Sequence, residues 1–285
     1  MDMKRYSLLV ALLISVAGSA SAQARELTVM ISGGFKAAWD QLSPRYAARE
    51  GIRINTVAGP SMGKTPQAIP ARLARGERAD LLIMVGDALG NLEQQGRTLP
   101  GSRVELADSR IGAVIKQGAT PVAIDSESAL RATLLSARSI AYSDSASGQY
   151  ISSQLFTRLG IADRVNAKAF KVERIPVASQ VAAGKYAIGF QQVSELLPVP
   201  GVTFVGELPD SLQYTTRFAG AVVRQSAQPD EARRLLRWLA SSEVQQVVRQ
   251  TGLHPIGQPQ PAARHSQSDS LILFNNQRFQ LTGDV

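Results

Sequence analysis

The stretch Gly59-Pro60-Ser61-Met62-Gly63-Lys64-Thr65 puts two glycines, two hydroxyls and a lysine into seven residues. Those are the types that wrap a phosphate in backbone N–H groups and neutralise it with a cation. A nucleotide-binding loop of this kind needs four residues between its glycines, and here there are three. Pro60 also removes one N–H from the cradle, and Pro66 and Pro70 interrupt the helix that should start at Lys64. Nucleotide hydrolysis is set aside; an anion-binding loop without nucleotide, or a plain Gly/Pro turn, remains.

Two further stretches share this chemistry. Ser32-Gly33-Gly34-Phe35-Lys36 and Ser143-Asp144-Ser145-Ala146-Ser147-Gly148 each follow an apolar, β-branched run and precede helical spacing. Small residues at a helix start leave its free N–H groups and positive dipole end open to an anion. One such loop is an ordinary N-cap. Three of them, each after a strand, predict a converging anion site.

Other chemistries lack raw material. The chain has no cysteine, so thiolate metal sites, thiol nucleophiles and a lipid-anchored cysteine are excluded; with two histidines, His254 and His265, a multi-histidine metal site or a Ser-His triad is equally starved. No metal and no cofactor is expected. Lys4 and Arg5, the apolar run Leu8–Ala17 and the small residues to Ala22 read as a secretory signal peptide over 1–22, which predicts a periplasmic protein. The run is too short to span a bilayer, which takes ~20 apolar residues. The formal charge of +8 falls by one when Asp2, Lys4 and Arg5 leave. That balance favours anionic partners, and the scattered cations with few aromatics argue against nucleic acid.

The elements that must position the loops alternate strand and helix, as in an α/β chain with its ligand at the carboxyl ends of the strands. Leu27–Ile31, Ile52–Val57 and Ala79–Val85 read as strands, and Phe35–Glu50 as a helix buried through Phe35, Ala38, Trp39, Leu42 and Tyr46. In the second half, Arg110–Ile115, Ser139–Tyr142, Phe170–Arg174, Ala187–Phe190 and Val202–Val205 read as strands, and Arg217–Val223 is one more apolar run. Tyr150–Leu159 reads as a helix, and Asp230–Thr251 as one long amphipathic helix. The polar stretch 258–285 reads as a flexible tail.

Four blocks in this order carry a family pattern: Leu27–Ala38, Ala79–Ile83, Ser145-Ala146-Ser147-Gly148-Gln149-Tyr150 through Gly160, and Gly189-Phe190-Gln191-Gln192-Val193-Ser194-Glu195. With them the chain resembles the periplasmic molybdate-binding proteins of ABC transporters from about Glu26 to Gly257. The resemblance implies the two-lobed periplasmic binding protein fold of type II, an α/β architecture with the ligand cleft between lobes that close by hinge motion. It places one lobe at 23–107 plus 217–257 and the other at 108–216. It implies a monomer that captures a small anion for an inner-membrane ABC permease.

Carried over by position, the resemblance puts ligand contacts on Ser32, Gly33 and Gly34, on Ser61, on Ala146 and Ser147, and on Gln192. The chain departs from the pattern at Gly34-Phe35-Lys36 and at Met62-Gly63-Lys64, which replace hydroxyl-bearing runs, and at Gln192, which replaces a Tyr; Arg174 lies near another contact. Hydroxyl and N–H donors suffice for an oxyanion, whereas Lys36, Lys64 and Arg174 suit a ligand with several carboxylates. Both ligand classes stay open. Aconitate isomerase is similar to the same scaffold, and that resemblance implies a second reading, a cofactor-free proton shift on a tricarboxylate. Its base would be Lys64 or Lys36 with a lowered pKa, or Glu195 if it faces the cleft. The competing role for Glu195 is N-cap of the next helix, and Tyr150 is a further possible proton donor.

Overall fold

A computed structural model describes residues 25–256, so the expected signal peptide and tail lie outside the described residues. Among the described residues, eleven strands form two sheets. β1 (Glu26–Ile31), β2 (Arg53–Ala58), β3 (Leu81–Val85) and β4 (Val104–Ser109) belong to the first. β5 (Ile111–Lys116), β6 (Ile140–Ser143), β7 (Ala169–Val172), β8 (Ile188–Gln192) and β9 (Val202–Glu207) make the second. β10 (Thr216–Val222) and β11 (His254–Pro255) return to the first.

The first sheet has the order β11-β4-β10-β3-β1-β2 and the second β7-β6-β8-β5-β9. β1, β2 and β3 run parallel, so their carboxyl ends at Ile31, Ala58 and Val85 meet at one edge. The chain crosses between sheets twice. Only Arg110 separates β4 from β5 on the way out, and a short turn at Asp210–Leu212 leads from β9 back to β10. Two crossings of a few residues join the lobes, as hinge closure requires.

Each sheet is covered on both faces by helices, which is why strands such as Leu81–Val85 are almost continuously apolar. The face of helix Gly33–Glu50 expected to be buried is buried, at Phe35, Ala38, Trp39, Leu42 and Tyr46. The expected single helix over 230–251 is two helices, Pro229–Leu239 and Ser242–Gln250. Ser241 takes an extended N-cap backbone between them, and the Trp238 indole donates to Glu243 at 3.1 Å across the break. Apolar spacing alone did not register that corner, because both helices bury the same stripe. The helix expected to begin at Tyr150 begins at Ala146 and runs with a π-helical stretch, Ile151–Leu155, through Arg158. β4 and helix Gly86–Gln94 were not foreseen.

Candidate functional site

The three loops occupy the strand ends as expected. Ser32 follows β1 and caps the 18-residue helix Gly33–Glu50; its N–H donates to Ile83 O at 3.0 Å, tying it to β3. Its hydroxyl is buried and has no hydrogen-bond partner, 4 % of the residue remaining exposed. An unsatisfied buried hydroxyl beside the free N–H groups of a helix start is a ready donor for an anion. Gly59 N donates to Ile31 O at 3.0 Å, which brings the second loop beside the first. Ser61 is buried there and accepts from Val85 N at 2.9 Å, leaving its own proton to donate.

The third loop closes on itself. Ser143 and Ser145 hydroxyls lie 2.7 Å apart, Ser143 and Ser147 3.0 Å, and Ser145 and Ser147 3.0 Å, forming a triangle of three donors. Only glycine fits at 148, because a Cβ there would overlap the Ser143 carbonyl. Ala146, which the family pattern selects, opens the helix, and Ser147 is fully buried behind it. Asp144 accepts from Arg174 N at 3.1 Å, and Arg174 has a left-handed backbone with φ 64°, unusual for a residue with a side chain.

β8 delivers the groups that join the two lobes. Gln192 is buried and its Oε1 accepts from Ser109 Oγ at 3.0 Å at the outgoing crossing. Ser194 Oγ donates to Gly34 O at 2.7 Å, a direct bond from the second lobe to the first loop. Gly33 and Gly34 are small for a reason: a Cβ on Gly33 would stand 2.6 Å from Glu195 Oε1, and one on Gly34 would overlap Gln192 Oε1 and the Phe218 ring. The first helix start is therefore pressed against Gln192, Ser194 and Glu195.

Glu195 is the electrostatic centre of this seam. It lies in the first turn of helix Val193–Leu196, whose cap position is Gln192, so it is not the N-cap that the competing sequence reading made it. Part of its surface meets solvent, yet protein surrounds its carboxyl densely enough that burial pushes its pKa up to about 7. A hydrogen bond from Gln191 opposes that rise and the negative charge of Asp144 adds to it.

The cations stand farther out. Lys36 is bound to Asp40 at 2.6 Å one turn along its own helix. Lys64 is exposed, next to Gly63 with φ 101°, and has no carboxylate partner among the described residues. Hydrogen bonds and close packing thus bring Ser32, Gly33, Gly34, Ser61, Gln192 and Glu195 together around the first two loops and the seam, while Ser147 bonds only within its own loop; among the described residues no hydrogen bond or ion pair joins Lys36 or Lys64 to that set. Ser143, Ser145, Ser109 and Ser194 were missed as individual site residues. The alternating hydroxyls of Ser143, Ser145 and Ser147 were a visible signal; Ser109 and Ser194 carry none, since each matters only through a partner 83 or 160 positions away.

Gly34→Ala gives a direct test of the seam. The new methyl would wedge against Gln192 and Phe218, and ligand affinity is expected to fall about tenfold, roughly 1.4 kcal/mol. Calorimetric titration would measure it, with small-angle scattering reporting a larger radius of gyration. Unchanged affinity and size would contradict a tight seam at Gly34.

Two α/β sheets, a double crossing and strand-end loops facing each other are the architecture of a two-lobed periplasmic binding protein. The chain belongs to the bacterial extracellular solute-binding proteins, whose family model matches residues 27–254. It is 44% identical over 230 residues to an aconitate isomerase of Pseudomonas sp, covering 81% of this chain and 88% of that protein. Among solved structures it is similar to the Azotobacter vinelandii periplasmic molybdate-binding protein, with TM-score 0.66 and 20% identity over 82% of this chain and all of that one. A Mycobacterium tuberculosis sulfate-binding protein is similar with TM-score 0.62 and 15% identity, covering 84% of this chain and 89% of that one. These two likenesses concern the fold.

Proposed function

We propose that this chain binds a small polycarboxylate between its lobes and moves a proton on it, as an aconitate isomerase. The observation that carries the reading is Glu195, a carboxyl in the interlobe seam with a proton affinity near neutrality. Capture and release of an anion need no such group, and burying it beside Asp144 is unfavourable for holding one. The 44% identical isomerase supports the same assignment.

In the proposed reaction, ionised Glu195 takes a proton from the substrate methylene. The C–H electron pair spreads over the allylic system and its carboxylates. The proton then returns to the other allylic carbon, which moves the double bond and resets its geometry, with no oxidant or reductant consumed. A base with pKa near the working pH both accepts and returns the proton efficiently. The Ser32, Ser61 and Ser147 hydroxyls and the N–H groups at Gly33 and Gly34 would carry the charge of the substrate carboxylates. The segments 23–107 plus 217–257 and 108–216 would move as the two bodies that close on it, in the periplasm after loss of residues 1–22.

A second reading, delivery of an oxyanion to an ABC permease, is favoured by one feature, the neutral serine triangle at Ser143, Ser145 and Ser147. Melting temperature and ultraviolet absorbance with molybdate, citrate and trans-aconitate separate the two. Stabilisation and spectral turnover with trans-aconitate are expected; stabilisation by molybdate alone would reverse the assignment. Lys64 is exposed and outside the bonded set, so it would act only if lobe closure carries it onto the ligand; in that case Lys64→Ala weakens citrate or aconitate about tenfold and leaves a neutral-donor oxyanion site unaffected. Equal losses for both ligands would remove Lys64 from any selective role.

A further inference from the structure

A cavity of about 190 Å³ lies in the first lobe at the end of the sheet away from the seam, at the start of β3 and the end of β10. The length of β3, roughly 13 Å at ~3.3 Å per residue, separates it from the strand-end loops. It has more than ten times the room that one water needs (~10–15 Å³). Three arginines line it, Arg78, Arg97 and Arg224, all exposed. None of them has a carboxylate partner among the described residues, in a lobe where most other arginines do. The one lining carboxylate, Glu77, is already engaged by Arg72 at 2.7 Å and Arg75 at 2.9 Å, so it does not neutralise the three.

The backbone holds the arginines in register around the opening. Arg224 N donates to Arg97 O at 2.9 Å, and Thr98 bridges Val223. Gly76 and Gly96 turn with φ of 84° and 70° at the lip, a conformation that leaves the rim without side chains. Arg97 also donates to Leu73 O at 3.3 Å, which orients its guanidinium along the wall. Three arginines without a carboxylate partner lining one concavity match the planar oxygen pairs of carboxylates and the oxygens of phosphate.

We propose that this cavity is a second anion site, for a compact polycarboxylate or inorganic phosphate, separate from the interlobe cleft and not engaged in turnover. The site is independent of the isomerase reading, since it shares no residue with the seam. Its test is calorimetric titration of the full chain with citrate and with phosphate at constant ionic strength. Both probes are compared in the wild type, in Arg78→Gln/Arg224→Gln, and in an Arg45→Gln/Arg237→Gln control that loses the same charge elsewhere on the surface. The expected result is that the Arg78/Arg224 variant loses one equivalent of bound anion, or weakens it at least tenfold. The control variant keeps it, and aconitate turnover and ligand-free melting temperature match the wild type in both. Loss with citrate but not phosphate assigns the site to carboxylates, and the reverse to phosphate. Equal binding in the wild type and the Arg78/Arg224 variant overturns the proposal, as does an equal loss in the control, which would make the effect one of net charge.

Discussion

Replacing Glu195 with Gln is expected to slow aconitate interconversion by ~10²- to 10⁴-fold while leaving ligand affinity within a few-fold. The amide keeps the shape that fills the space beside Gly33 but cannot take a proton. Two measurements check it: ultraviolet turnover, and exchange of the aconitate methylene proton with D₂O followed by NMR. Full activity in the variant would remove Glu195 from the chemistry. A pH dependence accompanies it. The folded pKa of Glu195, about 7, lies above its ordinary value of 4.5. Between those values the unfolded chain ionises this group while the folded protein keeps it protonated, so the folded state binds more protons and loses stability as pH rises. Above pH 7 the loss is complete, with a ceiling of about 3 kcal/mol. Glu195→Gln should therefore melt several degrees higher than the wild type at pH 8, at ~2–4 °C per kcal/mol, and the gap should shrink toward pH 5. A variant that is inactive and more stable is the pattern of a carboxyl held there for its chemistry; one that is inactive and less stable at every pH would indicate a structural role instead.

Gly148→Ala is expected to weaken any cleft ligand by ~100-fold or more. The added methyl would overlap the Ser143 carbonyl and lie 2.9 Å from the Ser143 nitrogen. Neither is the end of a flexible side chain, so the backbone itself must shift. Moving Ser143 breaks its contacts with Ser145 and Ser147 together, because all three hydroxyls share one triangle. Ser147→Ala is the companion variant, removing one donor without moving the chain, and should cost about 1–2 kcal/mol of binding. Titration calorimetry with trans-aconitate, and circular dichroism to confirm folding, measure both. If Gly148→Ala binds as the wild type does, the third loop is not part of the site.

The alternation of buried strands and amphipathic helices was legible because burial imposes a period on the sequence. The core face of helix Gly33–Glu50 and the stripe Ala232, Leu235, Leu236, Leu239, Val244, Val247 and Val248 are buried as the spacing requires. What escaped was whatever keeps the period while changing direction. The corner at Ser241 leaves the apolar stripe intact, so one helix and two look alike. Strand β4 has only intermediate burial at Val104 and Glu105, and its sequence VELADS lacks a strong apolar run.

The candidate site divides in the same way. Strand-end loops rich in glycine and serine are local features, and the composition of Ser32-Gly33-Gly34, Gly59 to Thr65 and Ser143 to Gly148 marked them without help from the fold. The sequence also disqualified the second loop as a nucleotide cradle, since the number of residues between glycines and the loss of an N–H at proline are local facts. It drew attention to Lys64, whereas the folded chain puts the unusual group at Glu195. A proton affinity depends on what surrounds the carboxyl in space: Asp144 from another loop, Gln191 from the strand that precedes its helix, and the helix start at Gly33 from the other lobe. No stretch of sequence contains that neighbourhood. The sequence by itself determined the class of fold and the anion-seeking character of its loops, because both follow from local residue type and spacing. Only the tertiary structure decided which acid stands packed in the seam between the lobes, because desolvation arises from contacts between segments far apart in the chain.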